Sequence, residues 1–297
     1  MADESHPVVS VLLPATQPWP AVSSALESLL SQTNAVTFEI LLLDGSGGAL
    51  AAQPSHPALR WLPFPGCDAF ALRAAGLAAA RGTIIAITED HCIVPVDWIE
   101  SIARAHGDDD RAALAGAVVN HPASAMRAID RANFLLTFAG QTRSRLAIQS
   151  RRLPVPTNVS FKRAALPAAG LAPGELEYAW LAQLRDRRAL GVAPSVVLEH
   201  EQCWGAAAPG VHMASGRSYG ASMRNRPWRE RLRWFAMLPF LPLKLALLVA
   251  PDLLRGAGGA PVSFGDVYCL ALLILANVIG QAEGALFGAG TSRKRLP

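Results

Sequence analysis

The sequence predicts an α/β sandwich on a mainly parallel central sheet, followed by C-terminal membrane-associated helices. Short apolar runs rich in β-branched residues alternate with segments of helical period through the first part of the chain. Two of those runs stop abruptly on ionisable groups, at Asp44 and at Glu89-Asp90-His91. The chain is 51% hydrophobic and only 17% charged. Its mean hydropathy of +0.26 is apolar for a soluble domain, and the excess lies beyond residue 222.

PVVSVLLP at 7–14 and FEILLLDGSGG at 38–48 read as buried strands, stopped by Pro14 and by Asp44 with its glycines. Between them Val22, Ala25, Leu26, Leu29 and Leu30 recur at helical spacing, so the first unit is strand, helix, strand. RWLPF, the alanine-rich helix DAFALRAAGLAAARG closed by Gly82, and the strand TIIAIT repeat the pattern. VDWIESIARAH then reads as a helix and AALAGAVVN as a strand. PTNVSFKRAAL reads as a strand running into a helix, and GELEYAWLAQLRDRR as a helix.

At 297 residues the chain suits one large domain or two modest ones. Cys67, Cys92, Cys203 and Cys269 are widely spaced without a CxxC pair. Neither a zinc knuckle nor a disulfide framework is indicated, and reduced thiols in a cytosolic setting are expected. MADESHPVVS has no basic segment followed by an apolar one, so no cleavable signal is expected. A net charge of +4 is too mild to argue for nucleic acid.

From about residue 222 the character changes. RNRPWRERLRW places five arginines among two tryptophans, and two apolar segments follow. The first holds Pro239, Pro242 and Lys244; the second has sixteen uncharged residues between Asp266 and Glu283, short of the ~20 a span needs. A helix pair in the membrane interface, or a re-entrant hairpin, is expected on the cytoplasmic face, with the arginines and the terminal SRKR toward anionic headgroups. A buried helical hairpin with a solvated arginine face is the alternative. The expected division is residues 1–222 as catalytic domain and 223–297 as membrane-associated region.

Ligands of open α/β sheets gather beyond the carboxyl ends of strands, where Asp44 and the Glu89-Asp90-His91 cluster both fall. Hard divalent cations take oxygen ligands and manganese accepts imidazole as well, so the trio suits a partial metal site. On an extended chain Glu89 and His91 would share one side and Asp90 the other. Read alone, the trio is equally a solvated strand end, and Asp44 a turn aspartate ahead of glycines.

The ordered segments VVSVLLP, ALESLLSQT, FEILLLDGSGG and LRAAGLAAARGTIIAITEDHCIVPVDWIE resemble the nucleotide-binding half of family 2 glycosyltransferases, inverting enzymes of the GT-A fold. The likeness continues through PTNVSFKRAAL, an acidic helix, VVLEH and SGRSYGASMR, over residues 7–226. It implies that Asp44 contacts the nucleotide base or ribose and that Arg73 helps hold the diphosphate. It implies that Glu89 and His91 take the outer positions of the DxD-like motif with Asp90 between them, binding ribose and a diphosphate-bound metal, Mn2+ or Mg2+. Leu43, Ala74 and His91 depart from the family pattern, and TEDH in this place suggests a subgroup. His200 resembles a late histidine that reaches the metal, and Arg217 a basic residue for the departing phosphate.

Inverting transfer needs a carboxylate within reach of the acceptor hydroxyl. The resemblance puts it at the start of GELEYAW, on Glu177 in preference to Glu175, with Asn158 and Lys162 lining the acceptor side. The expected partners are a nucleotide-diphosphate sugar, a lipid-linked or membrane-proximal acceptor and the membrane surface, with no nucleic acid. A catalytically silent nucleotide-binding scaffold at the membrane is the alternative. A nucleotidyltransferase is a further one, though PATQPWPAV lacks the glycine-rich phosphate loop it would need.

Overall fold

The computed structural model describes residues 6–17, 21–33, 36–47, 55–143, 145–146, 153–202, 204–256 and 258–292. Cys203 and the basic residues 293–295 lie outside them. In chain order the elements are β1 Val9–Ala15, α1 Ser23–Leu30, β2 Phe38–Asp44, β3 Leu59–Pro63, α2 Ala69–Ala79, β4 Ile84–Ile87, β5 Cys92–Ile93, α3 Trp98–Asp108 and β6 Ala113–Asn120. There follow α4 Ala128–Phe138, β7 Val159–Lys162, a π-helical turn Leu176–Trp180, α5 Leu181–Asp186 and β8 Leu190–His200. The last helices are α6 Ala208–Ser222, α7 Trp228–Met237, α8 Leu241–Leu254 and α9 Phe264–Phe287. The chain divides into two compact units: Met1–Val119 with Arg143–His200, and Asn120–Thr142 with Glu201–Pro297. The expected boundary at 222 falls at the end of α6, inside the second unit.

The first unit is an α/β fold around an eight-stranded mixed sheet of order β3-β2-β1-β4-β7-β6-β8-β5. β1 pairs parallel with β2 and β4, and β2 with β3, as expected of the strand-helix-strand units. The sheet then turns antiparallel, through β4 with β7, β7 with β6, and β8 with β5. Strands β1 and β2 are buried along almost their whole length, which is why they read as continuous apolar runs rather than alternating ones. Phe161 of β7 meets Trp180 edge to face, ring centroids 5.1 Å apart, over a core that includes Leu12, Leu43, Ile85 and Leu181.

Two glycines set how closely this core closes. A Cβ on Gly76 of α2 would stand 2.6 Å from Leu43 Cδ1 and 3.1 Å from Leu12 Cδ2, so with a side chain there those two leucines of β2 and β1 would have to move. Gly82, expected to close the helix, instead lies on β1, where a Cβ would stand 2.6 Å from the Ser10 nitrogen; α2 ends earlier, its cap at Ala80 extended. The strand in PTNVSFKRAAL does not run into a helix. It gives one 3-10 turn, Arg163–Ala165, and Pro167 holds Leu166 extended.

In the second unit α6 packs along α9. A Cβ on Gly216 or Gly220 would stand 2.1 or 2.0 Å from a carbonyl oxygen of α9, and one on Gly280 or Gly284 equally close to α6, so the helices meet backbone to backbone. α9 starts on a capping box, Ser263 with Asp266, and Asp266 also accepts from Arg131 of α4 at 2.7 Å. Asp252 of α8 is fully buried and accepts from Thr142 Oγ1 at 2.8 Å. Residues Trp228–Leu254 and Phe264–Phe287 are long and apolar enough to cross a membrane by length and composition.

His106 of α3 is buried in the first unit, its Nε2 2.9 Å from Ser160 Oγ of β7. Burial, and then nearby Lys162, hold its imidazole down to about 4. The folded state therefore resists a proton that the unfolded chain accepts below about pH 6.5. Stability is whole above that pH and declines as pH falls toward 4, by about 2 kcal/mol from this group at pH 5. Urea unfolding at pH 7.5 and pH 5 is expected to show the decline, and His106→Gln to reduce it.

Candidate active site

β1, β2 and β4 run parallel, so their carboxyl ends share one edge of the sheet, with Ala15 beside Asp44 and Leu12 beside Ile87. Asp44 ends β2. Its Oδ1 accepts from the Ser46 nitrogen at 2.9 Å and its Oδ2 from Trp61 Nε1 of β3 at 3.2 Å. The aspartate is thus a turn former whose second oxygen is aimed by a tryptophan, a partner that the run RWLPF did not announce.

Glu89, Asp90, His91 and Cys92 follow β4 as a turn, not an extended strand: the Cys92 nitrogen donates to the Glu89 carbonyl at 3.1 Å. This corrects the alternation expected of residues 89–91, although Asp90 still faces elsewhere. Its Oδ2 accepts from the Thr16 nitrogen at 3.0 Å and the Gln17 nitrogen at 3.4 Å, tying down the loop after β1. Its Oδ1 stands 2.8 Å from His91 Nδ1. A carboxylate accepts, so His91 Nδ1 donates to it and Nε2 faces inward.

The turn also starts β5, whose Cys92 pairs directly opposite His200 of β8. That register brings His200 Nε2 to 2.9 Å from His91 Nε2 and 3.4 Å from Glu89 Oε2, with His91 Nε2 3.6 Å from the same oxygen. Glu89, Cys92 and His200 each offer a donor atom, all within 4.8 Å of one another. Burial, then the charge of His91, lowers His200 to about 4, so it is a neutral imidazole at pH 7. Burial alone would raise Glu89, but the His200 hydrogen bond and the charge of Arg73 outweigh it and hold the carboxyl at about 2. Burial, then Glu89, pushes the Cys92 thiol well above its ordinary value.

Arg73 closes the group. It lies one turn before Gly76, on the face of α2 that approaches the sheet. Its Nη2 donates to Glu89 Oε1 at 2.7 Å and its Nη1 to Glu177 Oε1 at 3.1 Å. Glu177 sits on the π-helical turn Leu176–Trp180, a local widening of the helix that recurs at functional sites. Glu175, just before it, is exposed and caps the Ala172 nitrogen at 2.7 Å.

Of the residues singled out in the sequence, Arg73, Glu89, His91, Glu177 and His200 converge here, with Asp90 behind His91. Asp44 ends the neighbouring strand β2. Asn158 is a core bridge, donating to Ala117 O at 2.8 Å and Val196 O at 3.1 Å. Lys162 ends β7 and donates to the Asp109 carbonyl at 3.2 Å. Arg217 belongs to the second unit, where its Nε donates to Gly288 O at 3.0 Å and its Nη1 stands 3.8 Å from Glu283.

The inward donors suit a divalent cation. Ligands of a four-coordinate ion at ~2.0–2.1 Å stand about 3.3–3.5 Å apart, and the three separations of 2.9, 3.4 and 3.6 Å bracket that spacing. Among the described residues here, the carboxylates of Glu89, Asp90 and Glu177 stand against the single guanidinium of Arg73, which leaves room for positive charge. The edge can therefore hold a cation and an anionic ligand beside a carboxylate, the parts that transfer from a diphosphate requires.

The sequence profile described as glycosyl transferase family 2 matches residues 10–167. No curated protein sequence matches the chain. Among solved structures, a mannosyltransferase from Pyrobaculum calidifontis, PcManGT in complex with GDP-Man and Mn2+, aligns over 96% of this chain and 88% of its own at 16% identity, TM-score 0.57. Glucosyl-3-phosphoglycerate synthase from Mycobacterium tuberculosis aligns over 66% and 69% at 16% identity, TM-score 0.41. TarS 1-349 of S. aureus aligns over 90% of each chain at 14% identity, TM-score 0.43.

Arg73 is the cation on which both buried glutamates depend. Arg73→Met is expected to cost about 3 kcal/mol or more in urea unfolding, because it removes the paired positive charge from two buried carboxylates. Glu177→Gln, which leaves Arg73 paired with Glu89, is expected to cost less than half of that.

Proposed function

The chain belongs to glycosyl transferase family 2, and we propose that it transfers a sugar from a nucleotide-diphosphate donor, with inversion, to a hydroxyl or phosphate of a lipid-linked or membrane-proximal acceptor. The carrying observation is the convergence of Arg73, Glu89, His91, Glu177 and His200 at the carboxyl edge of the parallel strands. In this reading Asp44 contacts the base or ribose. Arg73 pairs with the donor diphosphate, and Glu89, His91 and His200 hold a divalent cation, with Asp90 fixing the imidazole of His91. The cation, when bound, neutralises the diphosphate leaving group. Glu177 accepts the proton of the acceptor oxygen as it bonds to the anomeric carbon and the bond to the diphosphate breaks. Thr88-Glu89-Asp90-His91 in place of DxD marks a subgroup. GDP-Man and Mn2+ in PcManGT support the donor class and the cation.

Membrane association rests on the surface of α7, α8 and α9. Trp228, Leu232, Phe240, Leu243 and Leu247 are each more than 60% exposed, and Arg224, Arg226, Arg229 and Arg233 are exposed near them in sequence. Apolar and basic side chains together suit the interface of an anionic leaflet, on the cytoplasmic side, with the helices lying in the surface or re-entering it. An acceptor at the membrane follows from that address. For Arg217, a contact to departing phosphate is carried over from the resemblance alone.

Transfer assays against a panel of nucleotide-diphosphate sugars, read beside thermal shifts, test the proposal. Glu177→Gln is expected to keep the donor-induced shift and lower kcat by roughly 10²–10⁴-fold, while Glu175→Gln stays near wild type. The reverse result would move the base to Glu175. If no donor shifts the folded protein, the silent-scaffold reading takes its place.

Flotation with vesicles tests the address. The full chain is expected to float with anionic more than with zwitterionic vesicles, less so in high salt, and Phe240→Asp with Leu243→Asp to reduce flotation. A wild-type chain that stays unbound in all vesicles would sink the membrane reading.

A further inference from the structure

The donor set at this edge is unlike one built for a hard cation. We propose that the cation site defined by Glu89 Oε2, His91 Nε2 and His200 Nε2 is selective for a borderline transition metal of the Zn2+ or Co2+ class, held with an open fourth position, and discriminates against Mg2+. This inference rests on the assignment of those three residues as cation ligands in the proposed function.

The argument is one of donor chemistry and preorganisation. Mg2+ demands near-octahedral oxygen ligands and keeps most of its waters. Here the protein converges two imidazole nitrogens and one carboxylate oxygen on a single point, separated by 2.9, 3.4 and 3.6 Å. Imidazole favours the later first-row ions, and divalent affinity rises from Mn2+ toward Co2+ and Zn2+.

Each of two ligands is also aimed by an outer partner. Asp90 Oδ1 holds His91 Nδ1 at 2.8 Å, the carboxylate–histidine arrangement that fixes the tautomer of a metal-binding imidazole. Arg73 occupies Glu89 Oε1 at 2.7 Å, which leaves Oε2 for the site. Three protein ligands and a vacancy are the geometry of ions that act on a bound oxygen, here an oxygen of the donor diphosphate.

The test reads metal directly and needs no turnover. The full chain, stripped with a chelator, is titrated with Co2+ and followed by visible absorption, then challenged with Zn2+, Mn2+ or Mg2+. The expected result is the intense absorption of low-coordinate Co2+, displaced by equimolar Zn2+, resisting a hundredfold excess of Mg2+, with Mn2+ between them. His200→Ala and the near-isosteric His91→Gln, each checked for a cooperative melt, are expected to lower Co2+ affinity at least ~10-fold. Mg2+ displacing Co2+ at comparable concentration, or Co2+ binding unchanged in both folded variants, would overturn the inference. Sugar transfer supported by Mg2+ bound at this site would also refute it and leave the transferase reading intact. Selective Co2+ binding without turnover of any donor would do the opposite.

Discussion

The site depends on a buried guanidinium that balances two carboxylates from distant parts of the chain. Arg73 reaches Glu89, at the end of β4, and Glu177, on a turn a hundred residues later. All three side chains are about nine-tenths buried or more. In such surroundings an unpaired carboxylate would take up a proton or move to water. Without Arg73 the two acids could not both be held in the cleft, and without the acids the arginine could not stay buried. The ordering of the π-helical turn is therefore coupled to the ordering of the strand end. On the proposed function, donor diphosphate competes with Glu177 for the same guanidinium.

The second constraint is the turn at Glu89–Cys92. A strand that simply continued would have sent alternate side chains to opposite faces. That alternation would already put Glu89 and His91 on one face; the turn adds the delivery of Cys92 to the partner position of His200. Asp90 is consumed in holding the turn, through Thr16, Gln17 and His91. Neutral His200, low-lying Glu89 and a thiol pushed up by burial describe a cleft in which negative charge is confined to the carboxylates.

Much of this was legible in the residues. The parallel half of the sheet shows in apolar runs that end on acids, because doubly covered strands need no polar alternation. Glu89 and His91 follow a strand, His200 ends one and Glu177 stands near a helix start, whereas Arg73 lies inside α2 and was singled out through the ordered segments around it. Other features have no local signature. The antiparallel half of the sheet depends on pairings among β4, β7 and β6 that lie far apart in sequence. The role of Cys92 follows from register with β8, and that of Trp61 from its neighbour on β2. Asn158, which sequence order suggested for the acceptor side, is spent on two core carbonyls. Glycines were read as stops, whereas Gly76 and the four on α6 and α9 act through the space they leave.

The run AITEDHCIVP ends on ionisable groups, a pattern that by itself suits a solvated strand terminus as well as a ligand site. Burial separates the two. Glu89, Asp90 and His91 are each less than a tenth exposed, and a solvated terminus has no reason to shield three such groups. Shielding costs solvation free energy that hydrogen bonds and one arginine only partly offset. Ligand-binding clefts are one place where folded chains retain such arrangements. On the proposed function, the complement of these buried carboxylates and imidazoles is a divalent cation with its anionic ligand.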